Sequence, residues 1–380
     1  MKVLIIGSKY RVITFANQLV KRDVSVHIIS NRKMKNGQFG KADSRIVFHE
    51  ELINKLKKDS KNKYMIISFL YTIIKLKCLI RKINPDIIHA FFIQGHGWFS
   101  ALTKFHPFVL TTMGSDINSN QGASDTLVKK IMLSYTVKRA DLVTVQSRQS
   151  LEEIRNLNSN IELIYFRAGY DSDLFFPTAK PEYLLNKFSL KDKFIIISPR
   201  GFNKEFYNIE TIIKGFAIFN KKIRDSFLLL LGNYENNYGK RIIKMVDSMG
   251  IKSNTKFLGN INHDLIRDYF NLSDVAVSLT LKDGFPASLT ELMACGKPII
   301  AGENKSIAEL ISNGKNGLLI KPNNAKQLME NLLYIYKNKN KREEIRQNSI
   351  IDSSNHSSKE YCRVMMDEYK NLINTSIYRK

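Results

Sequence analysis

VAVSLTLKDGFPASLTELMACGKPIIAG, residues 275–302, holds the pattern that decides the fold. Its ends are short apolar runs, VAVSL (275–279) and KPIIAG (297–302), of the kind needed by a strand buried on both faces. Between them a Gly-Phe-Pro loop leads into helical text. Ser288 is placed to cap that helix, and Gly296 with Pro298 to end it. Strand, helix and strand in that order make one unit of a parallel sheet. The loop also carries chemistry. Asp283 and Glu291 put a carboxylate on either side of a helix start, where backbone N–H groups attract an anion such as a diphosphate. One acid suits a sugar and the other a ribose, because carboxylates accept hydrogen bonds from hydroxyls. A second reading stands beside this one: Ser288-x-x-Glu291 is also a capping box, which would make both residues parts of a helix terminus.

The same alternation extends outward in both directions. VLIIG (3–7), VSVHIIS (24–30), DIIHAFF (86–92), FVLTTMG (108–114) and DLVTVQS (141–147) read as strands with helical text between them. FIIISPR (194–200), FLLLLG (227–232) and TKFLG (255–259) lead up to the opening stretch in the same way. The expected fold class is therefore α/β, with two doubly wound, Rossmann-like domains facing a central cleft. The expected boundaries are an N-terminal domain at 1–172, a linker at 173–193, a C-terminal domain at 194–356 and a final helix at 357–380. The region 169–193 carries two of the eight prolines and reads as polar connection. Tyr361, Val364, Met365, Tyr369 and Leu372 give the last helix one apolar face, which suits packing back on the N-terminal domain.

At 380 residues with 43% apolar content, the chain can bury two cores. Lys and Arg outnumber Asp and Glu by 59 to 35, a net charge of +24, which favours polyanionic partners. Cys78, Cys295 and Cys362 form neither a metal-binding spacing nor an even set, which fits a reducing compartment. No signal peptide is legible, and the most apolar long stretch, Tyr64 to Ile74, is too short to span a bilayer. A protein of the cytoplasm, peripheral on the inner face of the cell membrane at most, is expected.

The 283–291 string, followed by MACGKPII, resembles the carboxylate signature of retaining nucleotide-sugar glycosyltransferases of the family-4 type (glycosyl transferases group 1). DIIHA (86–90), RADLVTVQS (139–147), GYDSDLF (169–175), SPR (198–200), LLLG (229–232), FLGNI (257–261) and NGLLI (316–320) follow that family's order. The resemblance implies the GT-B architecture, with the activated sugar bound by the C-terminal half. It makes Arg200 the grip on the diphosphate, Asp283 the ligand of donor-sugar hydroxyls and Glu291 the ribose ligand. Gly284, Phe285 and Pro286 then shape the loop, and Ser288 and Leu289 present amides to phosphate. Gly232 and Asn233 line the path of the nucleotide, and Gly259 and Asn260 lie where its base stacks. The family's lysine after the arginine is missing: Tyr207 stands at its position, and Lys204 is the candidate substitute.

In the N-terminal half, Gly7 ends the first strand and is that half's candidate donor-binding residue, with Lys9 and Arg11 close behind to meet an anion. A GxGxxG fingerprint is absent, which weighs against NAD. TTMGSDI (111–117) puts Met113 where relatives carry a histidine, leaving Asp116 as the nearest polar candidate for catalysis or acceptor binding. A helix cap at Ser115 or Asp116 is the competing reading. His89 reads as a core histidine, and His96, in QGHGW (94–98), as the acceptor-site residue.

The resemblance implies hexosyl transfer with retention to a glycan or lipid-linked acceptor, of the kind found in bacterial capsule or lipopolysaccharide synthesis. The donor is a UDP- or GDP-linked sugar, with no cofactor and no required metal. The basic text from 54 to 82 is interleaved with Met65, Ile66, Phe69, Leu70, Ile73 and Leu76. It reads either as a face for an anionic membrane or as a solvated helix with a core-facing stripe. A sugar-nucleotide epimerase of similar shape and a nucleic-acid-binding protein are the competing functions. The carboxylate signature opposes the first, and the lack of a readable basic and aromatic module opposes the second.

Overall fold

A computed structural model of the chain describes residues 1–7, 10–30, 41–49, 65–114, 116–117, 127–202, 205–283 and 285–377. The chain divides into two compact units, Met1–Ala168 with Ser358–Lys380, and Gly169–Ser357.

The first unit is built on a parallel sheet of β1 (Lys2–Ile6), β2 (Ser25–Ile29), β3 (Val47–His49), β4 (Ile87–Phe91), β5 (Phe108–Thr111), β6 (Leu142–Val145) and β7 (Leu163–Tyr165). Among the described residues their order is β3-β2-β1-β4-β5-β6-β7, and every pairing is parallel. The order reverses between β1 and β4. Helices cover both faces, so the central strands are buried throughout, which is why their sequences are continuous apolar runs rather than alternating ones. The final helix, Ser358–Ile377, packs against the helix Tyr10–Val20 and buries Tyr361, Cys362, Met365 and Tyr369. Its two tyrosines bring hydroxyls into the core, and both find partners there. Tyr361 Oη meets Thr111 Oγ1 at 2.8 Å and Thr144 Oγ1 at 3.2 Å. Tyr369 Oη meets His89 Nδ1, while His89 Nε2 reaches Thr111 Oγ1 at 2.6 Å. Burial holds His89 neutral, its pKa pushed down to about 3, so this histidine belongs to a satisfied core network.

The second unit repeats the plan with β8 (Phe194–Ser198), β9 (Ser226–Leu231), β10 (Thr255–Gly259), β11 (Val275–Ser278), β12 (Ile299–Gly302) and β13 (Leu318–Ile320). The order is β10-β9-β8-β11-β12-β13, parallel throughout, reversing between β8 and β11. Residues 173–193, read above as a linker, contribute structure of their own. The helix Glu182–Phe188 places Leu184 and Leu185 in this unit's core, and Leu190 follows them. Their apolar side chains outweigh the polar text around them, which is what the eye reads first. Gly296, at φ +66°, ends the helix Ala287–Ala294 as its sequence suggested.

Candidate active site

In an open parallel sheet, ligands meet the carboxyl ends of the strands where the strand order reverses. In the second unit that point lies between β8 and β11, and the charged residues of the opening motif gather there. Arg200 follows β8 by two residues and Asp283 follows β11 by five. Arg200 Nη2 and an Asp283 carboxylate oxygen form an ion pair with both side chains largely buried. The other Asp283 oxygen accepts the Phe285 N–H at 3.1 Å, which shapes the Gly-Phe-Pro loop around the acid.

Tyr207 completes this corner. It closes a short turn, Glu205–Tyr207, and its ring lies 5.4 Å from the Arg200 guanidinium carbon. The neighbouring Phe206 packs edge-on against it, and the Phe206 carbonyl accepts the Leu281 N–H at 2.8 Å. The turn is thereby tied to the loop that carries Asp283. The Tyr207 ring therefore gives the Arg200 guanidinium an aromatic face beside its carboxylate partner.

Glycine builds the floor. Gly232, at φ +105°, lies so close to Gly201 that a Cβ would sit 2.3 Å from the Gly201 Cα. Gly232 also donates its N–H to the Gly259 carbonyl at 2.8 Å. The loops after β8, β9 and β10 thus pack backbone to backbone, a closeness that any side chain at Gly232 would prevent. The Asn233 side chain accepts the Glu235 N–H at 2.9 Å and shapes that loop, while Asn260 is exposed at the end of β10.

Glu291 is 8% exposed on the helix Ala287–Ala294, with His263 Nε2 3.5 Å from its carboxylate. His263 opens the helix His263–Leu272, capped by Asn262, and the sequence reading passed over it. Its signal was available in the Asn262-His263 pair directly after FLGNI. The capping-box reading fails: Pro286 is the N-cap, and Ser288 lies inside the first turn. Without a capping duty at that terminus, Glu291 is left for other work. The reading of Leu289 as a phosphate-facing amide is corrected, because its N–H donates to the Pro286 carbonyl at 2.9 Å in a tight first turn. Ser288 keeps a buried hydroxyl with no partner among the described residues. Phe285 is half-buried and Pro286 buried, whereas Lys204, Gly284 and Lys9 lie outside the described residues.

The reversal point of the first sheet is differently made. Asp116 is 2% exposed, and its two oxygens accept the Ile93 and Met113 N–H groups, each at 2.9 Å. It spans the loops after β4 and β5. Both oxygens thus accept buried backbone donors, which gives the acid a bracing role between the two loops. What it braces is strained: Phe92 stands at φ +81°, outside the usual range for a bulky residue. His96 sits in the same turn, buried, with Nδ1 2.9 Å from the Phe91 carbonyl. That bond orients the ring from inside the loop. Gly7 packs under the first helix, where a Cβ would come within 2.8 Å of Val12. Met113 is half-buried, its sulfur 3.6 Å from Gln146 Nε2, and Gln146 also accepts from Arg11.

Two family descriptions match this chain one after the other. Glycosyl transferase 4-like covers residues 2–147, and Glycosyl transferases group 1 covers residues 184–351. The chain belongs to the group 1, family-4-like glycosyltransferases. It is 24% identical over 325 residues to the N-acetyl-alpha-D-glucosaminyl L-malate synthase of Bacillus anthracis, covering 80% of this chain and 77% of the relative. It is 23% identical over 321 residues to a Campylobacter jejuni enzyme, N,N'-diacetylbacillosaminyl-diphospho-undecaprenol alpha-1,3-N-acetylgalactosaminyltransferase, covering 80% of each chain. Among solved structures, Anabaena HepE in complex with UDP matches with a TM-score of 0.76 at 17% identity, covering 98% of this glycosyltransferase and 100% of that chain. The two parallel, doubly wound units are those of the GT-B architecture.

Asp171-Ser172-Asp173 is an Asp-x-Asp triplet that the sequence reading, with its expectation of no required metal, passed over. Here the Asp171 carboxylate accepts the Asp173 N–H at 3.0 Å, and its carbonyl accepts from Leu174 and Phe175. The triplet forms a turn at the start of the second unit.

Proposed function

We propose that this glycosyltransferase moves a hexosyl group from a UDP- or GDP-linked sugar to a glycan or lipid-linked acceptor, with retention of configuration, in the synthesis of a bacterial surface polysaccharide. The observation that carries the reading is the meeting of Arg200 and Asp283 at the β8–β11 reversal, with Glu291 on the helix that follows. A diphosphate arriving there exchanges with Asp283 for the Arg200 guanidinium, whose planar fork suits phosphate oxygens. The exchange releases the Asp283 carboxylate to the donor-sugar hydroxyls, while Glu291 accepts from the ribose. Arg200 then stabilises the charge that builds on the departing nucleotide. Attack on the face the diphosphate leaves needs no protein nucleophile, and the leaving phosphate takes the acceptor's proton. The rest of the protein's contribution is positioning, with neither a cofactor nor a metal ion required. The relatives lend support: one solved neighbour is bound to UDP, and the Campylobacter relative is named for an undecaprenol-linked acceptor. An acceptor of that kind would place the work at the cytoplasmic face of the membrane.

Thermal unfolding in the presence of UDP, GDP, ADP, CMP and NAD tests the donor site. A ligand at a hundredfold its dissociation constant adds about 2.7 kcal/mol, enough for a shift of several degrees. One nucleoside diphosphate is expected to raise the melting point, and Arg200→Ala and Glu291→Ala are expected to abolish the rise. A shift with NAD alone would overturn the reading. The anomeric configuration of the product, read by proton NMR, decides between retention and inversion.

A further inference from the structure

FLGNINHDLIRDY, residues 257–269, carries β10 into the helix His263–Leu272. Asn262 caps that helix by accepting the Asp264 N–H at 3.3 Å, so His263 stands at its first position. The imidazole therefore starts from a fixed point of the backbone.

Two other segments decide what the ring meets. The Phe175 ring lies edge-on to it, with centres 5.4 Å apart and planes at 87°. Phe175 is itself buried, in the core cluster that also holds Phe270, Leu289 and Leu292. A close-packed wall of this kind leaves the ring little room to turn. On its other side, His263 Nε2 lies 3.5 Å from Glu291 Oε1, and both side chains are largely buried.

Glu291 starts from a backbone held as firmly. Its helix, Ala287–Ala294, puts Leu289, Leu292 and Met293 into the same cluster. Gly169 packs so closely on that helix that a Cβ there would stand 2.4 Å from Thr290 Oγ1. The helix cannot slide to improve a contact, so the aim of the carboxylate depends on its own torsions and on what faces it. Among the described residues, His263 is the one ion-pair partner of that carboxylate. The contact engages Oε1 and leaves Oε2 to accept from a ligand. Ordering a Glu side chain only when a ligand arrives weakens binding, and a contact that fixes it beforehand removes that cost.

We infer that His263 is a positioning residue for the nucleotide: from its place on Phe175 it holds Oε1 of Glu291, so that Oε2 meets the ribose hydroxyls of the donor. It touches the acid and not the reacting atoms, so it acts on how tightly the donor is held and not on the transfer step. The inference rests on the proposed reading of Glu291 as the ribose ligand. A histidine present for packing alone would be replaceable by another ring, and this difference sets the test.

Titration calorimetry of the full chain with UDP and GDP, and with their 2′-deoxy and 3′-deoxy forms, separates the two roles. Whichever nucleoside diphosphate binds is expected to bind about tenfold to a hundredfold more tightly than a deoxy form, as for a hydrogen bond to a charged acceptor. His263→Phe keeps a ring on Phe175 and removes the N–H. It is expected to cut that preference about fivefold, as for one ordinary hydrogen bond. His263→Gln loses the ring but sets an amide N–H near the place of Nε2, and is expected to keep most of the preference. Glu291→Ala should abolish it, and adding His263→Phe should then change nothing more. In steady-state kinetics, His263→Phe should raise KM for the donor by a similar factor at nearly unchanged kcat. Equal melting points without nucleotide show that the variants fold.

The positioning role is overturned if His263→Phe keeps the full ribose preference, or if it weakens binding further in a chain that already carries Glu291→Ala. A fall in kcat at unchanged KM overturns it as well, since that places the ring at the transfer step. A wild type that binds neither nucleoside diphosphate overturns the proposed donor site instead. One that binds without any ribose preference overturns the Glu291 assignment and the inference with it.

Discussion

The two sheets reverse their strand order in the same way, yet the two reversal points are furnished differently. Between β8 and β11, Asp283 pairs with Arg200 while its other oxygen accepts the Phe285 N–H, and the neighbouring loops close on glycine. Between β1 and β4, the one acid turns inward and spends both oxygens on a strained turn. The same topology thus supplies a place for a ligand in both units, but the residues at the strand ends decide whether that place does electrostatic work or holds a shape. Among the described residues, the reversal point of the second unit holds a buried ion pair, and the acid near that of the first holds backbone.

Replacing Arg200 by Ala should break the comparison most severely. Loss of the guanidinium is expected to lower kcat/KM by on the order of 10² to 10³ and, by leaving Asp283 unpaired, to lower the melting point as well; steady-state kinetics beside a melting curve checks it. Asp116→Ala should act on stability and spare donor binding. Two buried N–H groups lose their acceptor, at a cost of roughly 1–3 kcal/mol each in stability. A denaturant titration that moves while donor binding holds would confirm the contrast, and a large fall in kcat at unchanged stability would return Asp116 to the chemistry.

The third test uses pH. His89 has an ordinary pKa of 6.5 and is pushed down to about 3 by burial. Below 6.5 the unfolded chain therefore holds a proton that the native one lacks, so stability falls as pH drops toward 3, by up to about 1.4 kcal/mol per unit. Urea unfolding between neutral and acidic pH should show this slope, and His89→Leu should flatten it. The smallest effect is expected at Tyr207. Loss of its ring in Tyr207→Ala removes a cation–π contact of about 0.5–2 kcal/mol, which should raise KM for the donor by about two- to thirtyfold and leave kcat nearly unchanged. Tyr207→Phe should keep the wild-type KM. If Tyr207→Ala lowers kcat instead, the ring acts on the reacting sugar and not through Arg200.

The strands that could be read in advance are those whose sequence carries an uninterrupted apolar run, because burial on both faces demands one. β3, β7 and β13 were not read. Each has three residues and closes one edge of its sheet, where pairing with a single neighbour does what the strand's own sequence does not. The helix Glu182–Phe188 escaped for a related reason: its four-residue apolar content becomes visible only against the core that receives it.

The residues proposed for the donor site were legible as types and spacings. Asp283 and Glu291 are local to one loop and helix, and Arg200 sits where a strand run stops. Their arrangement was not legible. Arg200 and Asp283 are 83 residues apart, and only the pairing of β11 with β8 sets them side by side. Tyr207, which in sequence looked like a missing lysine, takes its role from the guanidinium it faces. His89 was legible as a core histidine, but its partner Tyr369 was not, and Asp116 took its bracing place from Ile93 as well as the nearby Met113. Local pattern determined the elements, the α/β class and the carboxylate loop, because each depends on residues a few positions apart. Which charges met, which hydroxyls were buried and which lysines remained in water depended on burial and on long-range pairing, and only the folded chain decides those.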